Sequence, residues 1–128
     1  MRKLAATYIF LFDTPPLKNS ILILEDDGTI LKIIDTRGKL DEQAGMEHYS
    51  GMLVPGIINK DNFEAYKKKQ LLNPDLEFSE LVRPETNGHP EKQNCTFRVG
   101  NKPGIYLISG MDLVNLKLLP SSKIKQLA

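Results

Sequence analysis

Two histidines and one cysteine are the side chains of this sequence best suited to bind a transition metal or to act as nucleophiles. His48, His89 and Cys95, together with one carboxylate, could supply the four ligands of a zinc site. Their spacing matches no recognised zinc motif, which favours surface or half-buried positions for both histidines. Cys95 has no histidine in its own segment to activate it, so we interpret it as a small buried hydrophobic residue.

Three consecutive acidic residues, Glu25, Asp26 and Asp27, are a second group of candidate metal ligands. A calcium loop needs about six oxygens at set spacings, completed by a later glutamate, and that pattern does not occur here. The pair Asp27-Gly28 is instead typical of a tight hairpin turn, because glycine accepts the positive φ that the turn requires. The basic run at 67–69 is interpreted as a solvated helix face rather than a phosphate site.

The elements that must hold these residues follow from the pattern of apolar and turn-forming residues. Strands are predicted at 4–12, 21–24, 30–34, 46–54, 95–99, 105–108, 113–119 and 123–127. Helices are predicted at 61–72, capped by Asp61 or Asn62, and at 76–82. Residues 83–94 are predicted to form a surface loop. Because both ends are rich in strands, we expect them to pair in one sheet or sandwich, with the helices as an insert.

Composition and charge narrow the class of protein. The chain has 128 residues, of which 41% are hydrophobic and 26% charged, values typical of one soluble globular domain. A net charge of +1 gives no electrostatic reason to expect nucleic acid or an anionic membrane as a partner. No apolar stretch is long enough to span a bilayer. The single cysteine excludes an internal disulfide and fits a reducing compartment, so we expect a cytoplasmic protein.

Three segments, taken together, resemble the metal-dependent amidohydrolases. Residues 51–59, in which Pro55-Gly56 follows an apolar strand, resemble the segment that leads into the catalytic barrel of that family. Residues 100–108, with Lys102-Pro103-Gly104 before an apolar strand, resemble the return from the barrel, and residues 76–88 resemble its last helix. The likeness covers about 100 positions in family order.

This resemblance implies a mainly β fold with short helices, a composite β-sandwich formed by both chain ends. It divides a single domain into N-terminal strands at 1–58, a helical and loop insert at 59–94 in place of the barrel, and C-terminal strands at 95–128. A barrel takes about 250 residues, far more than the insert contains. The resemblance therefore implies that the catalytic barrel is missing.

The metal ligands of the family are also replaced. Its barrel begins with a his-x-his pair on a strand, where residues two apart face the same side and both bind one metal. The matching positions here are Asp61 and Phe63, and phenylalanine cannot bind a metal. We therefore expect a non-catalytic protein without a cofactor. Asp61, His48 and His89 are the remaining candidate metal ligands.

The expected role is that of an interaction or assembly module, or of a degenerate relic. An apolar patch that a barrel would cover must be buried by the insert or by another subunit, which predicts a homodimer or small oligomer. A full-length amidohydrolase is a second candidate partner, bound through a shared sheet edge. The alternative is a reduced metal-dependent hydrolase that acts on amide or cyclic C–N bonds. Neither nucleic acid nor a membrane is expected as a partner.

Overall fold

The computed structural model of the chain describes residues 1–11, 15–37, 45–56, 58–82, 99–100 and 102–128. Within these ranges there are seven strands and two helices. In chain order they are β1 (Arg2–Ile9), β2 (Leu17–Lys18), β3 (Ile21–Leu24), β4 (Ile30–Ile34), β5 (Met46–Pro55), α1 (Lys60–Leu72), α2 (Phe78–Leu81), β6 (Ile105–Ser109) and β7 (Lys123–Gln126). Neither helix of these described ranges has the length and apolar character needed to cross a membrane. The predicted loop at 83–94 and all but the last residue of the predicted strand at 95–99 lie outside the described residues.

All seven strands belong to one open, mixed sheet. Its order is β4-β3-β1-β5-β6-β7, with β2 beside the end of β1. The central pair β1 and β5 is parallel, and the other pairs are antiparallel. The expectation of a mainly β chain with short helices is confirmed, and β5 of the N-terminal part pairs with β6 of the C-terminal part. A second sheet, which a sandwich would need, does not occur among the described strands.

The hairpin between β3 and β4 forms as its turn residues predict. The backbone N–H of Gly28 donates to Glu25 O at 2.9 Å, and Gly28 has a φ of +94°. The carboxylate of Asp27 accepts the backbone N–H of Thr29 at 2.9 Å, a hydrogen bond that lowers the pKa of Asp27. The acidic group at 25–27 therefore builds a turn.

The start of α1 differs from the prediction in its capping residue. Asn59, rather than Asp61 or Asn62, is the N-cap, and its side chain accepts the backbone N–H groups of Asp61 and Asn62. The Asn62 side chain in turn accepts the backbone N–H of Asn59 at 2.8 Å, which completes a capping box. Two amides three residues apart can each satisfy a free N–H of the first turn, so the helix begins earlier than its apolar pattern suggests.

The strand predicted at 113–119 is wrong. Only Asp112 and Lys117 pair there, as an isolated bridge. The Asp112 carboxylate accepts the backbone N–H groups of Val114 and Asn115 at 3.0 and 3.1 Å. An aspartate that binds the backbone two and three residues ahead closes a turn, so the chain reverses before a strand can extend.

The core consists of two clusters on opposite faces of the sheet, because alternate residues of β5 belong to different clusters. The first core cluster joins the helices to the sheet and contains Phe10, Met52, Val54, Ile58, Phe63, Phe78, Leu81, Val82, Ile108, Met111 and Leu118. The second core cluster lies on the other face and contains Leu4, Ala6, Ile9, Leu22, Leu24, Ile30, Leu53, Ile105 and Leu107.

The second core cluster is covered by contacts between the N-terminal strands and the C-terminal part of the chain. The backbone N–H of Gly100 donates to Ile30 O at 2.8 Å, and the guanidinium of Arg2 donates to Leu127 O. At the tip of the β3–β4 hairpin, a Cβ added to Gly28 would lie 3.7 Å from Ala128 Cβ, so the hairpin also lies against the C-terminal end of the chain. No described helix packs on this face, so both chain ends are needed to bury it.

Candidate functional site

The point where the chain leaves the sheet and the point where it returns lie in contact. We call Pro55 and Gly56 the lead-in turn, and Pro103 and Gly104 the return turn. Pro55 is the register partner of Ile105, directly after the return turn. A Cβ placed on Gly56 would lie 2.0 Å from Pro103 O, so the two turns pack backbone to backbone. Whatever lies between them begins and ends at one place on the sheet.

The helical insert covers the sheet face next to these turns. Phe63 of α1 and Phe78 of α2 are buried in the first core cluster. The Phe78 ring meets the Phe10 ring edge to face, with centroids 5.0 Å apart and an interplanar angle of 76°. The insert therefore buries part of this face of the sheet.

A buried glutamine ties α1 to the segment before β7. Gln70 donates to Asn73 O at 3.1 Å and to Leu76 O at 2.9 Å, and its side-chain oxygen accepts the backbone N–H of Leu118 at 3.1 Å. Every polar atom of this side chain therefore has a protein partner. Such a group fixes the position of the helix because its partners would otherwise be buried without a hydrogen bond.

Gln70→Met keeps the length of the side chain but removes these three hydrogen bonds. We expect the free energy of unfolding to fall by about 1–3 kcal/mol, because buried donors and acceptors lose their partner. Lys68→Met, an exposed position on the same helix, is the control and should change it by less than about 0.5 kcal/mol. Urea denaturation followed by circular dichroism measures both. Equal losses in the two variants would contradict the role assigned to Gln70.

Asp61 and Phe63, which the resemblance to the amidohydrolases matches to that family's metal-binding pair, both lie in the first turns of α1. Asp61 is exposed, and its backbone N–H donates to the Asn59 side chain at 2.9 Å. Phe63 points into the first core cluster. Residues two apart on a helix are separated by roughly 200° around its axis, so side chains at these positions cannot face one metal ion.

Of the other candidate ligands, His48 is the one that lies within the described residues. His48 is exposed on β5 and lines a shallow groove with Thr7, Asn19 and Ser50. His89 and Cys95 lie outside the described residues. Across the described ranges, no group of three or more His, Cys, Asp or Glu side chains could hold a metal ion.

The basic run at 67–69 is only partly a solvated face. Lys68 is exposed, as expected. Lys67 instead donates to Ser122 O at 3.2 Å and lies 5.5 Å from the centre of the Phe63 ring. Lys69 donates to Leu81 O at 3.1 Å. These two lysines stay near apolar surface because their long alkyl chains pack there while the ammonium groups reach carbonyl oxygens.

One polar cluster was not predicted, and it lies where β1 meets β5. Arg2 donates through two nitrogens to the two carboxylate oxygens of Glu47, both at 3.0 Å, and the Tyr49 hydroxyl donates to Glu47 at 2.7 Å. Glu47 and Tyr49, two apart on a strand, share one face and could have been paired from the sequence. The parallel pairing that adds Arg2 joins residues 45 positions apart, and no local pattern reveals it.

The hydrogen bond from Arg2 holds the pKa of Glu47 below its usual value of 4.5, and the hydrogen bond from Tyr49 acts in the same direction. Burial, and then the hydrogen bond to Glu47, raise the pKa of Tyr49. The Arg2 and Glu47 side chains are 32% and 38% exposed, so the ion pair is partly screened by solvent.

Glu47→Gln should lower stability at pH 6, by no more than about 1 kcal/mol. The depressed pKa of Glu47 means that its contribution is present above the unfolded value and is lost as pH falls through the folded value. The difference between the wild type and this variant should therefore shrink as the pH falls below the unfolded value and vanish once Glu47 is protonated in the folded protein as well. Urea titrations at several pH values measure it, and a difference that grows on acidification would contradict this assignment.

Comparison of the chain with protein-family models, with curated proteins and with solved structures finds no match. The geometry of the lead-in and return turns and of the residues that follow them is therefore the basis for a functional assignment.

Proposed function

We propose that this chain is a non-catalytic relative of the metal-dependent amidohydrolases, in which both chain ends keep the composite domain and the role is assembly. The observation that carries the proposal is the contact between the lead-in and return turns. A composite domain must release the chain at one point and receive it again beside that point. A short insert can then replace a barrel without disturbing the strand pairing.

The geometry of α1 supports the loss of hydrolytic chemistry. A mononuclear hydrolytic centre uses about three protein ligands and leaves one position open for water. The residues at the metal-pair positions point in different directions from a helix, and one of them packs in the core. Asp61 and His48 each stand exposed on separate elements.

The sheet edges favour a partner on the helical side of the molecule. On β7, the exposed Lys123 and Lys125 oppose addition of a further strand, because lysines on an edge must be desolvated when another strand pairs. On β4, the carbonyl of Ile30 already accepts the N–H of Gly100. Sharing of a sheet edge with a full-length amidohydrolase is therefore the less favoured mode, and association through the insert is the favoured one.

The proposal is tested against the alternative of a reduced metal-dependent hydrolase. Protein purified without chelator is analysed for metal content, and its hydrolysis of an N-acyl amide and of a cyclic ureide is measured with added Zn²⁺. We expect background metal, no hydrolysis above buffer and no change in melting temperature on addition of Zn²⁺, because a bound metal would stabilise the folded state.

One metal ion per chain, with hydrolysis that Asp61→Ala abolishes and His48→Ala leaves intact, would overturn the proposal. These two variants form a matched pair, since both positions are exposed and neither side chain is part of a core cluster.

A further inference from the structure

The pairing of β1 with β5, the two central strands of the sheet, is interrupted by a β-bulge. The register shifts between Ala6 and Tyr8, so that Thr7 of β1 lies opposite two residues of β5, Ser50 and Gly51. The hydroxyl oxygen of Thr7 accepts the backbone N–H of Gly51 at 3.3 Å. Because a bulge interrupts the ladder and redirects the side chains around it, a bulge between central strands indicates a local role such as a binding site.

A small polar groove opens at this bulge. Its lining includes Ala5, Thr7, Asn19, His48 and Ser50, and we call the space between these residues the bulge groove. The register partner of His48 on β1 is Ala5, whose methyl group leaves space beside the imidazole. The groove has a volume of about 240 Å³, below the roughly 300–1,000 Å³ of sites for drug-sized ligands. We therefore expect its ligand to be smaller than those molecules.

The polar side chains of the bulge groove offer hydrogen-bond donors to a ligand. Among the described residues, neither the His48 imidazole nor the Ser50 hydroxyl has a hydrogen bond or an ion pair. The Thr7 oxygen accepts the N–H of Gly51, which leaves the hydroxyl proton of Thr7 to donate outward. The groove can thus direct two hydroxyl groups and an imidazole at one small ligand.

The carboxylate next to the groove along the chain points away from it. Glu47 is the only acidic residue of the strands β1 to β5. Neighbouring residues of a strand point to opposite faces, so Glu47 lies on the face opposite to His48. There it accepts hydrogen bonds from Arg2 and Tyr49. No acidic residue is part of the groove lining, so an anion would meet no like charge there.

Two lysines add positive charge to the face on which the groove opens. Lys3, Ile23 and Lys32 are register partners across β1, β3 and β4, so their side chains share one face. Ala5 follows Lys3 by two residues and faces the same side, beside His48. Among the described strands, this face therefore carries two lysines and a histidine but no carboxylate. Such a surface attracts anions.

We propose that the bulge groove binds a small oxyanion, the phosphate or sulfate group of a small molecule, with the protonated His48 imidazole as its cation and the Thr7 and Ser50 hydroxyl groups as donors. This inference does not depend on the proposed role in assembly, since it concerns a different part of the sheet. His48 and Ser50 are exposed, so solvent screens the contact. We expect a dissociation constant for inorganic sulfate on the order of 1 mM.

A titration of the ¹⁵N-labelled full chain with sodium sulfate, followed by NMR, tests the inference. Sulfate is the probe because its charge is constant near neutral pH, and sodium chloride keeps the ionic strength constant. At about pH 6, where an ordinary histidine is mostly protonated, we expect saturable shifts at the backbone amides of Thr7, Ser50 and Gly51. At about pH 8 the lysines keep their charge but imidazole is neutral, so the affinity should fall at least about fivefold.

Two variants that each remove one positive charge at about pH 6 separate a site from general attraction. His48→Gln should weaken sulfate binding at least about fivefold, because the hydrogen bond to a charged donor is lost. Lys68→Gln is the matched control. Lys68 is exposed on α1, which contributes no residue to the groove, so the affinity should change less than about twofold.

The shifts decide between a site and unspecific attraction of sulfate. Saturation that His48→Gln weakens and Lys68→Gln does not would support the bulge groove as the site. Shifts that rise linearly with sulfate concentration, equal affinity in the two variants, or equal affinity at both pH values would each overturn the inference. The assembly role stands or falls separately, because neither variant touches the lead-in or return turn.

Discussion

Gly56→Ala is expected to lower the free energy of unfolding by about 3 kcal/mol or more. The added Cβ would lie 2.0 Å from Pro103 O, well inside the normal contact distance of carbon and oxygen. Because the obstructing atom belongs to the backbone of the return turn, neither turn can yield without disturbing the pairing of Pro55 with Ile105. Urea denaturation measures the loss.

Gly45→Ala is the comparison for Gly56→Ala, because it adds the same methyl group to a glycine with open space around it. Gly45 has a φ of +77° but nothing within 4 Å of an added methyl group, so it carries the backbone cost without the collision. That cost is about 1 kcal/mol. If both variants lost the same stability, the lead-in and return turns would not be in contact, and the main support for the composite domain would be lost.

Phe78→Ala is the second substitution with a large expected effect. It should lower the free energy of unfolding by about 3–5 kcal/mol. The ring is buried in the first core cluster, meets Phe10 edge to face, and lies on a helix whose first backbone N–H donates to Leu116 O at 2.7 Å. Its removal leaves a cavity between insert and sheet that a four-residue helix cannot close. We expect the variant to bind a hydrophobic dye as the sheet face becomes exposed.

Two comparisons separate the loss of this ring from weaker effects. Phe78→Leu retains part of the buried volume and should lose less stability than Phe78→Ala. Leu72→Ala, at a position that is largely exposed, should lose less than about 0.5 kcal/mol when measured in dilute, monomeric protein. A loss below about 1 kcal/mol in Phe78→Ala would mean that the insert does not cover the sheet.

The sequence predicted best those elements whose ends carry local chemistry. β3 and β4 match their predicted bounds because the Asp27-Gly28 turn sets the register between two apolar runs. β5 and β6 were predicted because each is an apolar run that begins or ends next to a proline or a glycine. The prediction of a strand at 113–119 was wrong because the side chain of Asp112 accepts backbone N–H groups and closes a turn. The pattern of apolar residues does not reveal this hydrogen bonding.

Features that depend on distant pairing could not be predicted in the same way. The two-residue strand β2 exists only because it lies against Tyr8 and Ile9 of β1. Arg2 meets Glu47 through a parallel pairing across 45 residues. The cleft that Leu71 and Pro74 line together with Leu119 joins two segments that are separated by a long stretch of chain, so the sequence does not reveal it.

The pairing of the two chain ends is the central claim, and a disulfide across β5 and β6 tests it most directly. Val54 and Tyr106 are register partners, and partners in an antiparallel pair have Cα atoms about 4.5–5.5 Å apart, within the range that a disulfide spans. In a Cys95→Ser background, Val54→Cys/Tyr106→Cys should oxidise in the folded protein and raise the unfolding midpoint. The displaced pair Val54→Cys/Ile108→Cys should remain reduced. Free thiols in the first pair, or equal cross-linking of both pairs, would contradict the account.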